Sequence, residues 1–157
     1  MLQSYSPSQP IWFGCKYTPY VDQGYMSGGA GYVLSRAALD AFVNVALNDT
    51  SGQMCRTRDA DGAEDVEMGK CLQNANVTAG DSRDENGMPR FFALTPDFMM
   101  FPGAKDPEFW YWKNQFYPAE DGEKCCSELA IAFHYITPSQ MYVLDFFAYK
   151  LEIFGLK

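Results

Sequence analysis

Residues 28–47, GGAGYVLSRAALDAFVNVAL, run from a glycine turn through a short apolar step into an amphipathic helix, and that order sets the fold class. Gly28-Gly29-Ala30-Gly31 is the turn and Tyr32-Val33-Leu34 the apolar step. Ser35 stands where a helix needs a side-chain oxygen to accept from the free amides of its first turn. After it, Leu39, Phe42, Val43, Ala46 and Leu47 recur at helical spacing.

Working outward, similar segments alternate on both sides. Toward the N-terminus, Ile11-Trp12-Phe13 reads as a short strand inside a Ser- and Pro-rich loop. Toward the C-terminus, a polar loop from Asn48 to Gly62 leads to a second helix from about Glu64 to Ala75, with Met68, Cys71, Leu72 and Ala75 on one face. Residues 78–107 carry turn chemistry throughout, and Phe109-Trp110-Tyr111-Trp112 suits a strand or an aromatic loop.

Ile131 to Ile136 alternates as a strand, with Ile131, Phe133 and Tyr135 on one face and Ala132, His134 and Ile136 on the other. The last helix is the most completely signalled. Thr137 is its cap, Pro138 its first residue and Gln140 the partner in a capping box. Met141, Leu144, Ala148 and Leu151 form its apolar stripe, and Gly155 marks the stop. This alternation predicts an α/β layered fold. The strands are fewer than a stable open sheet needs, so part of the domain is expected to lie outside the chain.

At 157 residues the chain suits one domain with a core. A net charge of -8 repels polyphosphate, which excludes nucleic acid as an expected partner. No basic run offers a membrane patch, and no apolar run is long enough to span a bilayer. The N-terminus reads as neither a signal nor a transit peptide, so cytosol is the default address of the chain taken alone. The 5 cysteines and the sequons Asn48-Asp49-Thr50 and Asn76-Val77-Thr78 lean instead toward a disulfide-permissive lumen. An odd cysteine count leaves one thiol free or paired with sequence outside the chain. With His134 the only histidine and no C-x-x-C knuckle, a structural zinc site is not expected.

Several residues suit chemistry, each with a plainer reading beside it. The glycine turn could let backbone approach a ligand, although it lacks the dinucleotide and P-loop spacings and an ordinary turn is the simpler reading. Glu64-Asp65 opens a helix, where acids are favoured by the dipole alone; the functional reading is a general base. Asp59-Ala60-Asp61 spells an acid-x-acid metal pattern, but in a polar loop rather than at a strand end, so a solvated loop is favoured. His134 is either a packing residue or part of a site on the small-residue face of its strand. Trp110, Tyr111 and Trp112 are either core or a stacking platform for sugar.

Taken together, "GYMSGGAGYVLSRAAL", "EDVEMGKCL", "NVTAGDSRD", "FWYWKNQFYP" and "CCSELAIAFHYI" resemble the core 1 β1,3-galactosyltransferases (T-synthases) in order and spacing, from about Pro10 to Tyr149. That resemblance implies an inverting transferase of GT-A type α/β fold, anchored as a type II membrane protein facing the Golgi lumen. Such an enzyme moves galactose from UDP-galactose to the 3-hydroxyl of GalNAc on Ser or Thr and requires Mn²⁺. By resemblance Asp65 is the catalytic base, Glu64 a supporting carboxylate and His134 a metal ligand. Gly28, Gly29, Ala30, Gly31 and Tyr32 line the donor, while Trp110, Tyr111 and Trp112 face the acceptor.

The resemblance also implies a Cys55–Cys71 disulfide, partners elsewhere for Cys125 and Cys126, and a free thiol at Cys15. The family's acid-x-acid metal motif lies upstream of "PIWFG", outside the chain. Residues 1–157 are therefore expected to be the C-terminal part of a catalytic domain without its first nucleotide-binding strands, inactive alone, and joined to membrane only through an anchor outside them. A homodimer is among the assemblies allowed. The alternatives are a non-catalytic or chaperone-like relative, and a related β1,3-transferase with other substrates.

Overall fold

The computed structural model describes residues 1–57, 59 and 61–155. Strand β1 (Ile11–Gly14) is buried along its whole length. Strands β2 (Lys16–Tyr17) and β3 (Tyr25–Met26) pair antiparallel with each other. Strand β4 (Tyr32–Leu34) runs antiparallel to β1, with Leu34 opposite Trp12 and Tyr32 opposite Gly14. Helix α1 (Arg36–Ala41) follows; the Ser35 side chain accepts from the Ala38 amide, and the helix runs on through a wider π-type turn, Phe42–Ala46.

Helix α2 (Glu64–Asn74) delivers the chain to β5 (Thr78–Ala79), which joins β1 in parallel and completes a sheet ordered β4-β1-β5. Strands β6 (Phe91–Phe92) and β7 (Ala132–Phe133) form a separate parallel pair. Helices α3 (Pro96–Met100) and α4 (Trp110–Asn114) lie between them in sequence. Helix α5 (Pro138–Asp145), with its π-type extension Phe146–Lys150, comes last. The class is thus mixed α/β with small sheets, as the alternation predicts.

Trp12, Phe13, Met26, Leu72, Val77, Phe92, Met99, Tyr111 and Cys125 are the largest fully buried side chains of the core. Helix α2 approaches β3 at a glycine: a β-carbon at Gly69 would lie 2.6 Å from Tyr25 Cβ. That closeness sets the depth of α2 and brings its first turn to the Gly28–Gly31 turn. Cys55 and Cys71 form the disulfide that the resemblance implies, across a separation of 16 residues. Closing a loop of that size stabilises the fold by about 3 kcal/mol. Cys15 is the buried free thiol. Both sequon asparagines, Asn48 and Asn76, are exposed.

Four expectations are corrected. Residues 110–112 are helical, opening α4, rather than strand or loop; burying Tyr111 and Trp112 on one side while Trp110 stays out suits a helical turn better than an extended run. Cys125 and Cys126 pair with each other instead of seeking partners elsewhere. The Ile131–Ile136 strand shrinks to Ala132–Phe133, because Tyr135 takes a left-handed backbone at φ 59° that no strand continues.

The fourth correction concerns the apolar stripes of α1 and α5. Leu39, Val43 and Leu47 are exposed and Ala38 and Ala46 are buried, while Met141, Leu144 and Leu151 all face solvent. Helical structure also ends at Lys150, before Gly155. In the acid-x-acid loop, Asp59 and Asp61 both pair with Arg56, at 2.7 and 3.8 Å, as a solvated loop would; Ala60 lies outside the described residues.

Candidate active site at the glycine turn

The turn between β3 and β4 closes through the Gly31 amide, which donates to the Gly28 carbonyl at 3.0 Å. Gly31 carries φ 73°, a left-handed backbone that favours glycine. Two separate parts of the fold converge on this turn.

From one side comes the first turn of α2. The Gly28 amide donates to Asp65 Oδ2 at 3.0 Å, and the Val66 amide donates to Asp65 Oδ1 at 2.9 Å. Each carboxylate oxygen offers two lone pairs, so one on each remains to accept a proton from elsewhere. Asp65 is half-buried and its charge is felt nearby: burial first, then the Asp65 charge, pushes the Tyr25 phenol up to about 12. Glu64 is exposed, and its Oε1 accepts from the Tyr32 hydroxyl at 2.5 Å. Burial, and after it this hydrogen bond to Glu64, holds the Tyr32 phenol well above its usual range.

From the other side comes the end of β7. The His134 amide donates to the Phe92 carbonyl at 2.9 Å, fixing the residue just past the ladder. Its half-buried imidazole stacks on Tyr135 with ring centroids 3.9 Å apart. The ring lies so close to Gly29 that a β-carbon there would be 2.1 Å from its Nδ1. A side chain at 29 would therefore force the His134 ring to shift.

The structure therefore gathers Gly28, Gly29, Tyr32, Glu64, Asp65 and His134 into one locality from three stretches of chain. Ala30 is buried beneath the turn and Gly31 is exposed on it. The aromatic triplet divides differently. Trp110 is exposed, whereas Tyr111 is buried in the core and Trp112 is buried with its indole N–H donating to the Ala104 carbonyl at 3.3 Å. Trp110 is the exposed ring of the three.

Three contacts at this site lie beyond sequence reasoning: the Gly28–Asp65 and Tyr32–Glu64 hydrogen bonds and the Gly29–His134 approach. Their partners are far apart in the chain, and no local pattern links them. Among the described residues no three His, Cys, Asp or Glu side chains gather closely enough to enclose a cation. None of the described helices is long and apolar enough to cross a membrane.

Comparison with known proteins bears on this locality. No model of a known protein family matches the chain. Glycoprotein-N-acetylgalactosamine 3-beta-galactosyltransferase 1 of Xenopus laevis is 46% identical over 158 aligned residues, covering 99% of this chain and 42% of that protein. The chain thus spans less than half the length of the relative it matches. Along almost its whole length the chain is thus similar in sequence to that transferase.

Proposed function

We propose that this chain is the C-terminal portion of a GT-A type catalytic domain that transfers galactose from UDP-galactose to the 3-hydroxyl of GalNAc on Ser or Thr, with inversion, in the Golgi lumen. The observation that carries the reading is the convergence on one glycine turn of the α2 carboxylates and the β7 histidine.

In this reading the acceptor hydroxyl approaches Asp65, which takes its proton as the oxygen attacks the anomeric carbon from the face opposite UDP. The Gly28 amide holds the Asp65 carboxylate in place, so little reorganisation is needed at the moment of reaction. Gly28 to Tyr32 line the galactose, and Trp110 offers an exposed face to the GalNAc side. His134 would hold Mn²⁺ through a ring nitrogen, with the remaining ligands from the diphosphate and from carboxylates outside this chain. That ion would neutralise charge on the departing diphosphate. The cysteine pairs suit an oxidising lumen.

The test uses the complete transferase carrying this segment. Asp65→Asn should abolish transfer while UDP-galactose still binds, and retained turnover would sink the base assignment. His134→Ala should raise the Mn²⁺ concentration needed for half-maximal activity. Unchanged metal dependence would remove His134 from the ligand set. Normal transfer by both variants would favour a non-catalytic role for this locality.

A further inference from the structure

Tyr32 was expected only to line the donor, but its contacts give it a second task. Its position is set independently of any ligand. The backbone sits opposite Gly14 in the β1–β4 ladder, and the ring meets the fully buried Trp12 edge-to-face, with centroids 5.6 Å apart. From that fixed ring the hydroxyl reaches Glu64 Oε1 at 2.5 Å, the short range of a hydrogen bond to an ionised acceptor.

Glu64 has little else to hold it. It is exposed at the first position of α2, and the N-cap residue Ala63 has no side chain able to cap the helix. An exposed glutamate samples many rotamers. Its other oxygen, Oε2, nevertheless lies against Gly28, 3.1 Å from where a β-carbon there would sit. The carboxylate is therefore pinned between the Tyr32 hydroxyl and the turn, beside Asp65.

We propose that Tyr32 is a positioning residue of the transfer reaction: its hydroxyl locks the Glu64 carboxylate onto the glycine turn, and so sets the arrangement of the paired acids around the acceptor hydroxyl. Because burial and Glu64 both keep the phenol protonated, it remains a donor across the pH range in which such an enzyme works. The inference rests on the catalytic reading above and adds to it a second role for Tyr32, exerted through Glu64.

A double-mutant cycle in the complete transferase tests it. Tyr32→Phe keeps the ring on Trp12 and removes only the hydroxyl. It should lower kcat about tenfold or more with little change in KM for UDP-galactose. In a Glu64→Gln background the same substitution should change kcat less than about twofold, because the interaction it removes is already weakened. Equal losses in both backgrounds would mean that Tyr32 acts by packing or donor contact, and would overturn the inference; so would a wild-type kcat in Tyr32→Phe.

Asp65→Asn, measured in parallel, separates the two levels. Full turnover in that variant sinks the catalytic reading and this inference with it, whereas loss there beside an unaffected Tyr32→Phe sinks this inference alone. A measurement on the unreacting protein adds a control. At neutral pH, Glu64→Gln should move the carbon-13 resonance of the Tyr32 ring carbon bearing the hydroxyl. An unmoved resonance would show that the hydrogen bond does not form in solution.

Discussion

Helices α2 and α5 are built by opposite means. Helix α5 has complete local signals: Thr137 accepts from the Gln140 amide, Gln140 answers the Thr137 amide, and Pro138 opens the first turn. Yet none of its residues is buried, and Met141, Tyr142 and Val143 face solvent. Helix α2 starts at an alanine with no capping side chain, but it buries Val66, Gly69, Cys71 and Leu72 and is tied to the preceding loop by a disulfide. Capping chemistry decides where a helix starts, whereas burial decides where it sits in the fold. The candidate site is on the helix whose place is set by burial.

The largest expected effect breaks or confirms this contrast directly. Leu72→Ala should cost about 2–5 kcal/mol of stability in urea unfolding of the chain, since Leu72 is fully buried in the core. Leu144→Ala on α5 should cost under about 0.5 kcal/mol. Equal costs would mean that α5 is packed in solution and that the contrast fails.

A second effect of similar size comes from the core that α2 helps to close. Burial pushes the Cys15 thiol from its ordinary 9.0 up to about 11. The folded state therefore holds its proton more tightly than the unfolded state. The associated stability is fully present below pH 9 and is lost as pH rises through 11. The shift is worth roughly 3 kcal/mol at one pH unit per 1.4 kcal/mol. Between pH 8 and pH 11 the unfolding midpoint should fall further in the wild type than in Cys15→Ala, in which only the raised tyrosines such as Tyr25 still contribute. A pH-independent difference between the two proteins would show that the thiol does not titrate in the fold.

How much of this was legible in the sequence follows the same division. The strand at Ile11, the Ser35 and Thr137 caps and the span of α2 are written in neighbouring residues, and the structure has them. The exposure of Leu39, Val43 and Leu144 was not legible, because helical spacing marks a face without saying what covers it. The strand at residue 131 was overextended because alternation persists past Phe133 while the backbone turns over at Tyr135. At the site, the residues were named by resemblance to a family, but the contacts that join them were not. The hydrogen bond from Gly28 to Asp65 spans 37 positions and that from Tyr32 to Glu64 spans 32, distances over which no periodicity operates.

A substitution at Gly29 sharpens the comparison at intermediate size. Gly29→Ala places a methyl group 2.1 Å from His134 Nδ1, so ring or turn must shift. Overpacking of this kind costs about 1–3 kcal/mol. The His134 side-chain resonances should move in nitrogen-15 NMR, while those of α5 should not. Unmoved imidazole signals would separate the β7 end from the glycine turn and dissolve the locality on which the functional reading rests.

The smallest expected effect is at Thr137. Removing a threonine cap costs a helix about 1 kcal/mol, and Thr137→Ala also leaves Gln140 without the hydroxyl that it now meets at 2.9 Å. In a helix packed into the core, that loss would lower the unfolding midpoint of the whole chain. Helix α5 buries no residue, so its fraying is uncoupled from the core. Far-ultraviolet circular dichroism should show helix lost at low temperature, and the amides of residues 140–145 should exchange faster, while the cooperative midpoint stays where it was. A midpoint that falls with the cap would show that the apolar side chains of α5 reach the core in solution. The helix would then belong with α2, as part of the framework that holds the site.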